Sequence, residues 1–405
     1  MEREVGKRNL GLRVILILAL LALGGFEDIG QQARSGEQTT GPQVSFVEAP
    51  GSPIATGTAP ALAIVGDFNE DGHLDLAVIY GGKGERGGVA IFVGNGEGEF
   101  AYHDSFPSGG DIPGWAAKGD FNEDGHLDLA VINSIPPNVT ILLGDGEGGF
   151  SGTATFSTGG IDPYSVLTAD FNEDGHLDLA IANSGVDIAT MSFFAEDDNI
   201  TILLGDGTGG FNNPTSYIVG DAPIWMDVGD FNEDGHLDLA VLNRGSSNVL
   251  LLLGDGVGSF SQGTSMPFNY GILRLVTGDF NEDRHLDLAV IDDVAGDTLI
   301  LLGNGTGRFN LYGSFPTNFP NALITEDFNM DGHLDLAVAD KNGGWIDNAS
   351  IYLGDGTGAF GPRFSFPTGL YSYSLTAGDF NEDGYLDLAV ANAEGNDITI
   401  LCFVE

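Results

Sequence analysis

A nine-residue stretch, Asp-Phe-Asn-Glu-Asp-Gly-His-Leu-Asp at residues 67–75, constrains the fold of this chain more than any other sequence feature. Nearly unchanged copies begin at Asp120, Asp170, Asp230, Asp279, Asp327 and Asp379. Successive copies start 48 to 60 residues apart. A repeat of this period indicates that similar supersecondary units stack on one another to bury a shared core.

Each copy alternates oxygen-bearing side chains with other residues. Asp, Asn, Asp and Asp occupy positions 1, 3, 5 and 9, and in six of the seven copies a glycine at position 6 permits a sharp turn. Calcium takes six to eight oxygen ligands, and calcium loops supply them from alternate positions, with the backbone carbonyl serving at position 7. We therefore predict about seven Ca²⁺ sites, one in each loop.

The predicted ligands are Asp67, Asn69, Asp71, His73 and Asp75; Asp120, Asn122, Asp124, His126 and Asp128; Asp170, Asn172, Asp174, His176 and Asp178; Asp230, Asn232, Asp234, His236 and Asp238; Asp279, Asn281, Asp283, His285 and Asp287; Asp327, Asn329, Asp331, His333 and Asp335; and Asp379, Asn381, Asp383, Tyr385 and Asp387.

Three other interpretations of the loops have less support. Asp, Asn and Gly also form solvated acidic turns, but seven copies in register favour a bound ion. An EF-hand needs a glutamate at position 12, where the first copy has Val78, and a helix on each side. The six histidines at position 7 lack a second His or Cys at zinc spacing, so we expect their side chains to face solvent.

Two loops depart from the pattern. The fifth loop has Arg284 where the others have glycine, which adds a positive charge and a side chain at the turn. We expect that calcium site to be the weakest or empty. The sixth loop has Met330 at position 4, which supplies no ligand, so we expect little effect.

Residues 1–25 combine a basic start with the apolar run at residues 14–23, which predicts a secretory signal peptide. An uncleaved anchor is the alternative, although the apolar run is shorter than the roughly 20 residues of a membrane span. Residues 26–42 are polar and predict a flexible leader. We expect a secreted, periplasmic or cell-surface protein. The single cysteine, Cys402, allows no internal disulfide.

From residue 43, each repeat contains four short apolar segments. In the third repeat they lie at residues 165–169, 177–182, 199–204 and up to residue 219, with an insertion at about 185–198. A Gly-Asp/Asn-Gly sequence between the third and fourth segments is a strong hairpin signal. Four strands per repeat, repeated seven times, predict an all-β fold, a seven-bladed β-propeller of four-stranded antiparallel blades.

The seventh repeat contains only three strands, the last at residues 398–403. Residues 43–57 precede the first loop and align with the fourth strands of other repeats. We therefore predict that this N-terminal strand pairs with the C-terminal blade and closes the ring.

The unit Gly-Asp-Phe-Asn-x-Asp-Gly-x-x-Asp-Leu-Ala-Val, followed by Leu-Leu-Gly-Asp/Asn-Gly-x-Gly-x-Phe, resembles the FG-GAP/VCBS repeat. That repeat forms the blades of integrin α-subunit propellers and of many secreted bacterial proteins. The resemblance spans residues 43–405 and favours the stand-alone bacterial type. It implies that each calcium loop joins the first and second strands of its blade on the lower rim. It also implies ligation by the side chains at positions 1, 3, 5 and 9 and by the position-7 carbonyl.

Composition and motifs exclude several function classes. The formal net charge of −45 opposes binding to nucleic acid or to anionic lipid, and no membrane span is expected after signal removal. We find no Gly-x-Ser-x-Gly motif and no phosphate-binding loop. Of the 59 acidic residues, 21 Asp and 6 Glu lie inside the seven loops, where we expect them to serve ion binding in place of acid–base chemistry.

The leading functional hypothesis is an adhesion or ligand-recognition module for an extracellular protein or glycan. Aromatic residues on loops mark interaction surfaces. Six of them are expected on the upper face, opposite the calcium loops: Trp115, Tyr164, Trp225, Trp345, Tyr371 and Tyr373. Alternatively, Trp115 and Trp225 fill the central channel.

Two other functions remain open. One is a calcium-dependent polysaccharide lyase or hydrolase, for which residues outside the loops would have to converge on the upper face. The candidates for that role are Asp111, Asp162, Asp221, Arg244 and Arg274. The other is a purely structural component of the cell envelope.

Overall fold

The run Leu-Ala-Val or Leu-Ala-Ile that follows each nine-residue loop forms a strand that is buried on both faces. In the first repeat, Leu76, Ala77 and Val78 have no solvent exposure, although consecutive side chains of a strand point to opposite faces. A strand without an exposed face needs a neighbouring layer on each side. The sequence of these strands therefore requires that the sheets stack face to face.

The computed structural model describes residues 44–81, 86–187, 192–212, 214–269, 271–341 and 347–404, all within one compact unit, Gln43–Glu405. The predicted signal peptide (1–25), the predicted leader (26–42) and Trp345 lie outside the described residues. Nowhere in the described ranges is there a helix long and apolar enough to cross a membrane.

The described residues form strands connected by turns and loops. In chain order the strands are β1 (Phe46–Glu48), β2 (Ile54–Ala55), β3 (Pro60–Gly66), β4 (Asp75–Tyr80), β5 (Arg86–Gly94), β6 (Phe100–Gly119), β7 (Asp128–Ile135), β8 (Pro137–Gly144), β9 (Phe150–Phe156), β10 (Pro163–Ala169), β11 (Asp178–Asp187), β12 (Ser192–Leu203), β13 (Thr215–Ile218), β14 (Pro223–Gly229), β15 (Asp238–Asn243), β16 (Asn248–Gly254), β17 (Phe260–Pro267), β18 (Ile272–Gly278), β19 (Asp287–Asp292), β20 (Asp297–Gly303), β21 (Phe309–Pro316), β22 (Pro320–Glu326), β23 (Asp335–Asp340), β24 (Asn348–Gly354), β25 (Phe360–Pro367), β26 (Ser372–Gly378), β27 (Asp387–Asn392) and β28 (Asp397–Phe403).

These strands form seven antiparallel blades. Blade 1 runs from β3 to β6 and blade 2 from β6 to β9, because the 20-residue strand β6 serves as the fourth strand of one blade and the first strand of the next. Blades 3, 4, 5 and 6 are β10–β13, β14–β17, β18–β21 and β22–β25. Blade 7 consists of β26, β27 and β28 with the two N-terminal strands.

The N-terminal strand closes blade 7 as predicted. β1 pairs with β28 in antiparallel register, with Phe46 opposite Phe403, and β2 pairs further along the same strand, with Ile54 opposite Ile398. The Val404 N–H also donates to the Ser45 carbonyl at 2.8 Å.

Seven apolar clusters lie between neighbouring blades. Each joins side chains of one blade to those of the next, and one of them joins blade 7 to blade 1 through residues such as Ala389 and Val78. β3 accordingly packs beside β26, as the other first strands pack beside their neighbours. The prediction of a seven-bladed β-propeller is confirmed.

The insertion in the third repeat lengthens two strands. β11 and β12 contain 10 and 12 residues, and their pairing extends to Asp187 opposite Ser192.

The first strands of neighbouring blades pack beside one another all the way round, so the seven first strands surround a central channel.

Candidate calcium loops and upper-face pocket

Each nine-residue loop connects the first and second strands of its blade. Residues 67–75, for example, begin after β3 and end at the first residue of β4. This is the location that the family resemblance implies. The rim that carries the seven loops is called the lower rim below, and the opposite face is the upper face.

The side chains at positions 1, 3 and 5 shape the loop through its backbone N–H groups. In the first loop, Asp67 accepts from Asp71 N–H at 3.2 Å and from Gly72 N–H at 3.0 Å. Asp71 accepts from His73 N–H at 3.0 Å, and Asn69 accepts from Asp71 N–H at 3.0 Å. The same bonds recur in the other six loops.

The aspartate at position 9 is buried and joins three segments of its blade. The Asp128 carboxylate accepts from Phe121 N–H at 2.8 Å and from Gly144 N–H at 2.7 Å. Burial raises the pKa of Asp128 to about 6, and the negative charges of Asp124 and Asp120 add to this rise. The pKa of Asp335, its counterpart in blade 6, is raised to about 7, again chiefly by burial.

The donor set of these loops fits a hard cation. An ionised carboxylate has about four lone-pair sites, so the two N–H bonds to Asp128 leave further sites for an ion. Three carboxylates in one loop favour a cation with oxygen ligands over zinc, which prefers nitrogen and sulfur. Among the described residues, however, no three His, Cys, Asp or Glu side chains are already gathered as a metal cage. The fit therefore rests on the chemistry of the donors.

The Arg284 loop keeps the backbone of the other six loops. Arg284 has a φ of 74°, close to the 91–93° of the glycines at this position, and its N–H still donates to Asp279 at 2.8 Å. A Cβ at the corresponding Gly72 would meet nothing within 4 Å, so the space admits a side chain. This loop therefore has the same fold as the other six loops and differs from them in backbone strain and in charge.

From the sequence we expected the six histidines at position 7 to face solvent. In the structure each of them also contacts a neighbouring blade. Each His Nδ1 contacts the position-4 glutamate of the preceding blade, for example His236 with Glu173 at 2.6 Å and His73 with Glu382 at 2.5 Å. Four further pairs complete the set: His126 with Glu70, His176 with Glu123, His285 with Glu233, and His333 with Glu282. The hydrogen-bonded glutamate raises the pKa of each histidine.

The seventh position lacks this pair because both partners have changed. Met330 replaces the glutamate of blade 6, and Tyr385 replaces the histidine of blade 7. The Tyr385 ring stacks on Phe403 with centroids 4.7 Å apart. The two departures from the repeat therefore lie at one interface. The two substitutions occur in consecutive repeats. That was the sequence signal from which a contact between neighbouring repeats at these positions could have been predicted.

A pocket of about 280 Å³ opens on the upper face near the channel axis. Four of the six predicted aromatic residues line it, namely Trp115 of blade 2, Tyr164 of blade 3, and Tyr371 and Tyr373 of blade 7. The Tyr371 and Tyr373 rings are nearly parallel, with centroids 6.1 Å apart. The structure thus brings together residues that are far apart in sequence.

The other two predicted aromatic residues have different positions. Trp225 is half-buried, its ring meets Trp115 at 4.7 Å between centroids, and its Nε1–H donates to the Leu275 carbonyl at 2.9 Å. It does not line the pocket, and it packs against Trp115 and Arg274. Trp345 lies outside the described residues.

The sequence named Arg274 only among the candidates for the enzymatic alternative, whereas the structure places it against three aromatic rings. It stands five residues before its loop, where Trp115 and Trp225 stand in their repeats, and only 2% of its surface is exposed. Its guanidinium carbon lies 4.3 Å from the Trp225 ring centroid, 5.5 Å from that of Trp115 and 5.8 Å from that of Tyr164. Such distances permit cation–π attraction between the guanidinium and the three rings. Because the four side chains come from blades 2, 3, 4 and 5 and meet one another, they fill the channel beneath the pocket.

Of the five residues considered for catalysis, Arg274 packs against rings of the pocket and Asp162 lines it, while the other three do not line it. Arg244 forms an ion pair with Asp293 at 2.8 Å. The Asp162 carboxylate accepts hydroxyl hydrogens from Ser134 at 3.0 Å and from Ser184 at 2.7 Å. Asp221 lies in an exposed turn, and Asp111 lies within β6.

Comparison with known proteins supports the repeat and the fold. A model of the FG-GAP-like repeat matches residues 67–131, 120–181, 187–241, 230–290 and 327–390, and a model of the FG-GAP repeat matches residues 163–202. No curated protein sequence gives a significant match.

Several solved structures share the fold at low sequence identity. BBS1N, crystallised in complex with ARL6DN, has a TM-score of 0.60 at 13% identity, covering 88% of this chain and 96% of its own. The periplasmic gluconolactonase PpgL of Pseudomonas aeruginosa has a TM-score of 0.55 at 15% identity, covering 87% and 88%. A putative 6-phosphogluconolactonase from Bacteroides uniformis has a TM-score of 0.58 at 13% identity, covering 82% and 98%.

At these identities the likeness to solved structures concerns the fold alone. The repeat models, in contrast, together match well over half of the chain. The loops, the blades and the matched repeats lead to one assignment: the chain belongs to the family of FG-GAP-like repeat proteins.

Proposed function

We propose that this protein is a secreted, calcium-stabilised propeller that recognises an extracellular ligand through its upper-face pocket. The observation that carries the proposal is the convergence of Trp115, Tyr164, Tyr371 and Tyr373, from three blades, on one pocket. Aromatic rings offer large contact areas at low entropic cost, and they pack well against sugar rings. At about 280 Å³ the pocket is at the small end of the range for small-molecule sites, roughly 300–1,000 Å³, which suits a single ring of a glycan.

Calcium has a structural role in this proposal. The carboxylates at positions 1, 5 and 9 and the amide at position 3 would hold one ion in each loop, together with the position-7 carbonyl. Because each loop joins the first and second strands of a blade, a bound ion would fasten the lower rim. The pocket on the opposite face would then have a rigid base.

Metal content and thermal melting of the mature protein test the calcium role. We expect six or seven calcium ions per chain and a large fall in melting temperature with excess chelator, because an ion that binds only the folded state stabilises it by about 2.7 kcal/mol at 100 times its Kd. Asp174→Ala should remove one ion, and Arg284→Gly should add one if the fifth loop is empty. An unchanged melting temperature in chelator would contradict the calcium role.

Glycan binding tests recognition separately. We expect a soluble oligosaccharide to bind and to be recovered intact, and Trp115→Ala to weaken this binding at least tenfold. Because Trp115 also packs on Trp225, a melting curve of the variant confirms that it is folded at the assay temperature. Consumption of the sugar would instead support the enzymatic alternative. If no glycan binds, the pocket is not a saccharide site.

A further inference from the structure

A buried charged residue, Arg274, lies beneath the aromatic residues of the pocket. Its guanidinium packs against Trp115 and Tyr164, two of the rings that line the pocket. It belongs to blade 5, across the channel from both rings. A permanent positive charge therefore lies next to the pocket, within an aromatic layer that excludes most solvent.

The hydrogen-bond donors of this layer are incompletely used. Arg274 donates to the Leu273 carbonyl at 3.2 Å, and its Nε has no acceptor among the described residues. In the described ranges, the arginines that form ion pairs are Arg244 and Arg363. The buried hydroxyls of Ser165 and Ser374, which occupy the position of Arg274 in blades 3 and 7, also have no partner there.

Two carboxylates beside the pocket already accept hydrogen bonds. The Asp162 carboxylate in the pocket wall accepts the Ser134 and Ser184 hydroxyls. The Asp347 carboxylate, behind Tyr371, accepts the Tyr371 N–H at 2.8 Å. Buried polar groups are nearly always paired, so the unpaired Nε–H of the cationic Arg274 indicates a ligand that brings an acceptor.

Two further groups add donors. The Lys341 Nζ lies 3.7 Å from the centroid of the Tyr371 ring, at the edge of the pocket. The neighbouring Tyr164 and burial raise the pKa of Tyr373, so its hydroxyl stays protonated. The chain has only 14 Lys and Arg against 59 Asp and Glu, yet two of these cations lie against the rings of this one pocket.

We propose that the ligand of the upper-face pocket is a carboxylate-bearing sugar, a uronic acid residue of a glycan. This inference rests on the proposed function and specifies its ligand class. The pyranose ring packs against the aromatic wall, and its carboxylate accepts from the tyrosine hydroxyls and Lys341. The positive charge of Arg274 lies beneath that carboxylate and stabilises it. Because little solvent reaches this position, the attraction between the two charges is screened only weakly.

The test compares sugars that differ by one carboxylate. Short oligomers of galacturonate and galactose, and of glucuronate and glucose, are titrated into the full-length protein with calcium present. Binding is followed by calorimetry and by the fluorescence of Trp115 and Trp225. We expect one uronate to bind at least about tenfold more tightly than its neutral partner, because charged hydrogen bonds are roughly twice as strong as neutral ones.

Three variants test which side chain supplies the positive charge that stabilises the uronate carboxylate. Arg274→Met keeps an unbranched side chain but removes the charge and the donors, and it should lower uronate affinity at least about tenfold while leaving neutral-sugar affinity unchanged. Arg274→Lys should recover part of the loss, and Lys341→Gln should give a smaller loss that depends on salt. Arg244→Met, at an ion pair away from the pocket, is the matched control and should bind as the unmodified protein does.

Melting curves accompany each variant, so that loss of fold is separated from loss of affinity. Equal binding of uronate and neutral sugar, or unchanged uronate affinity in both Arg274→Met and Lys341→Gln, would overturn the uronate assignment and leave glycan recognition standing. Absence of binding to every sugar would overturn both. Binding of an acidic peptide in place of uronate would overturn the saccharide class.

Discussion

Among the described residues, six blade interfaces share two particular polar contacts on the lower rim, and neither of these two contacts occurs at the seventh interface, between blades 6 and 7. At the six, a hairpin glycine donates to the carbonyl of the position-2 phenylalanine in the preceding blade, as Gly148 does to Phe68 at 3.0 Å. The same six have the histidine–glutamate pair. At the seventh, Tyr385, Phe403 and Phe46 form a contiguous aromatic group.

This difference follows from how the ring is closed. The third strand of blade 7, β28, is followed by no hairpin within the described residues, and β1 takes the place of the fourth strand. Without the hairpin, the carbonyl of Phe328 receives none of the glycine N–H bonds found at the other interfaces. The interface relies on apolar burial, with Phe46 and Phe403 only 7% and 6% exposed. The six regular interfaces thus share the two polar contacts. The interface beside the closing strand depends on the burial of apolar side chains, which contributes more free energy.

The largest effect is expected from breaking the aromatic group at the seventh interface. Phe403→Ala should lower the free energy of unfolding by about 3–5 kcal/mol, because it empties a buried site between two blades. Glu123→Gln, which weakens the exposed pair at a regular interface, should have a much smaller effect. Chemical denaturation of both variants measures the contrast. Equal losses would mean that the two kinds of interface are equally strong.

A second test concerns blade 6, which forms one wall of the seventh interface. Burial raises the pKa of Asp340 to about 7 from the usual 3.8, and the Ser350 hydroxyl and Arg363 at 3.6 Å oppose this rise. The folded state thus holds the proton more tightly than the unfolded chain, so stability falls as pH rises from about 4 to 7. Four other blades have asparagine at this strand end: Asn133, Asn183, Asn243 and Asn392.

Asp340→Asn should therefore stabilise the protein by of order 2 kcal/mol at pH 8 and by little at pH 4.5. Melting temperatures of the variant and the unmodified protein, measured across this range, give the result. A difference that does not vary with pH would show that Arg363 keeps Asp340 ionised throughout.

The smallest effect is expected from giving the seventh interface the polar pair of the others. Met330→Glu alone should be nearly silent, because Met330 is 62% exposed. Tyr385→His alone should cost about 0.5–1.5 kcal/mol through loss of the ring contact with Phe403. The double variant should recover part of that loss, and a double-mutant cycle measures the coupling. Strict additivity would mean that the pair does not form at this interface.

The repeated elements were predictable because each is specified by local sequence. The turn glycines, the alternating loop oxygens and the apolar runs identified seven blades, and the unmatched strand at residues 43–57 identified the closure that β1 provides. The histidine–glutamate contacts were missed because they join residues from neighbouring repeats. The grouping of Arg274 with Trp115 and Trp225 across the channel depends on ring geometry, which no single repeat encodes. The continuous strand β6 was likewise invisible, since its two halves fit separate repeats.

The pairing of β1 with β28 also bears on synthesis. β1 is made before every other described strand, and its partner is made after them. Throughout elongation the growing ring keeps an open side with apolar faces and unpaired strand edges, which favour aggregation. A chain that stops before β28 lacks the strand with which β1 and β2 pair, so that side stays open. Closure thus reports that the whole propeller has been translated, and incomplete products remain recognisable to chaperones and proteases.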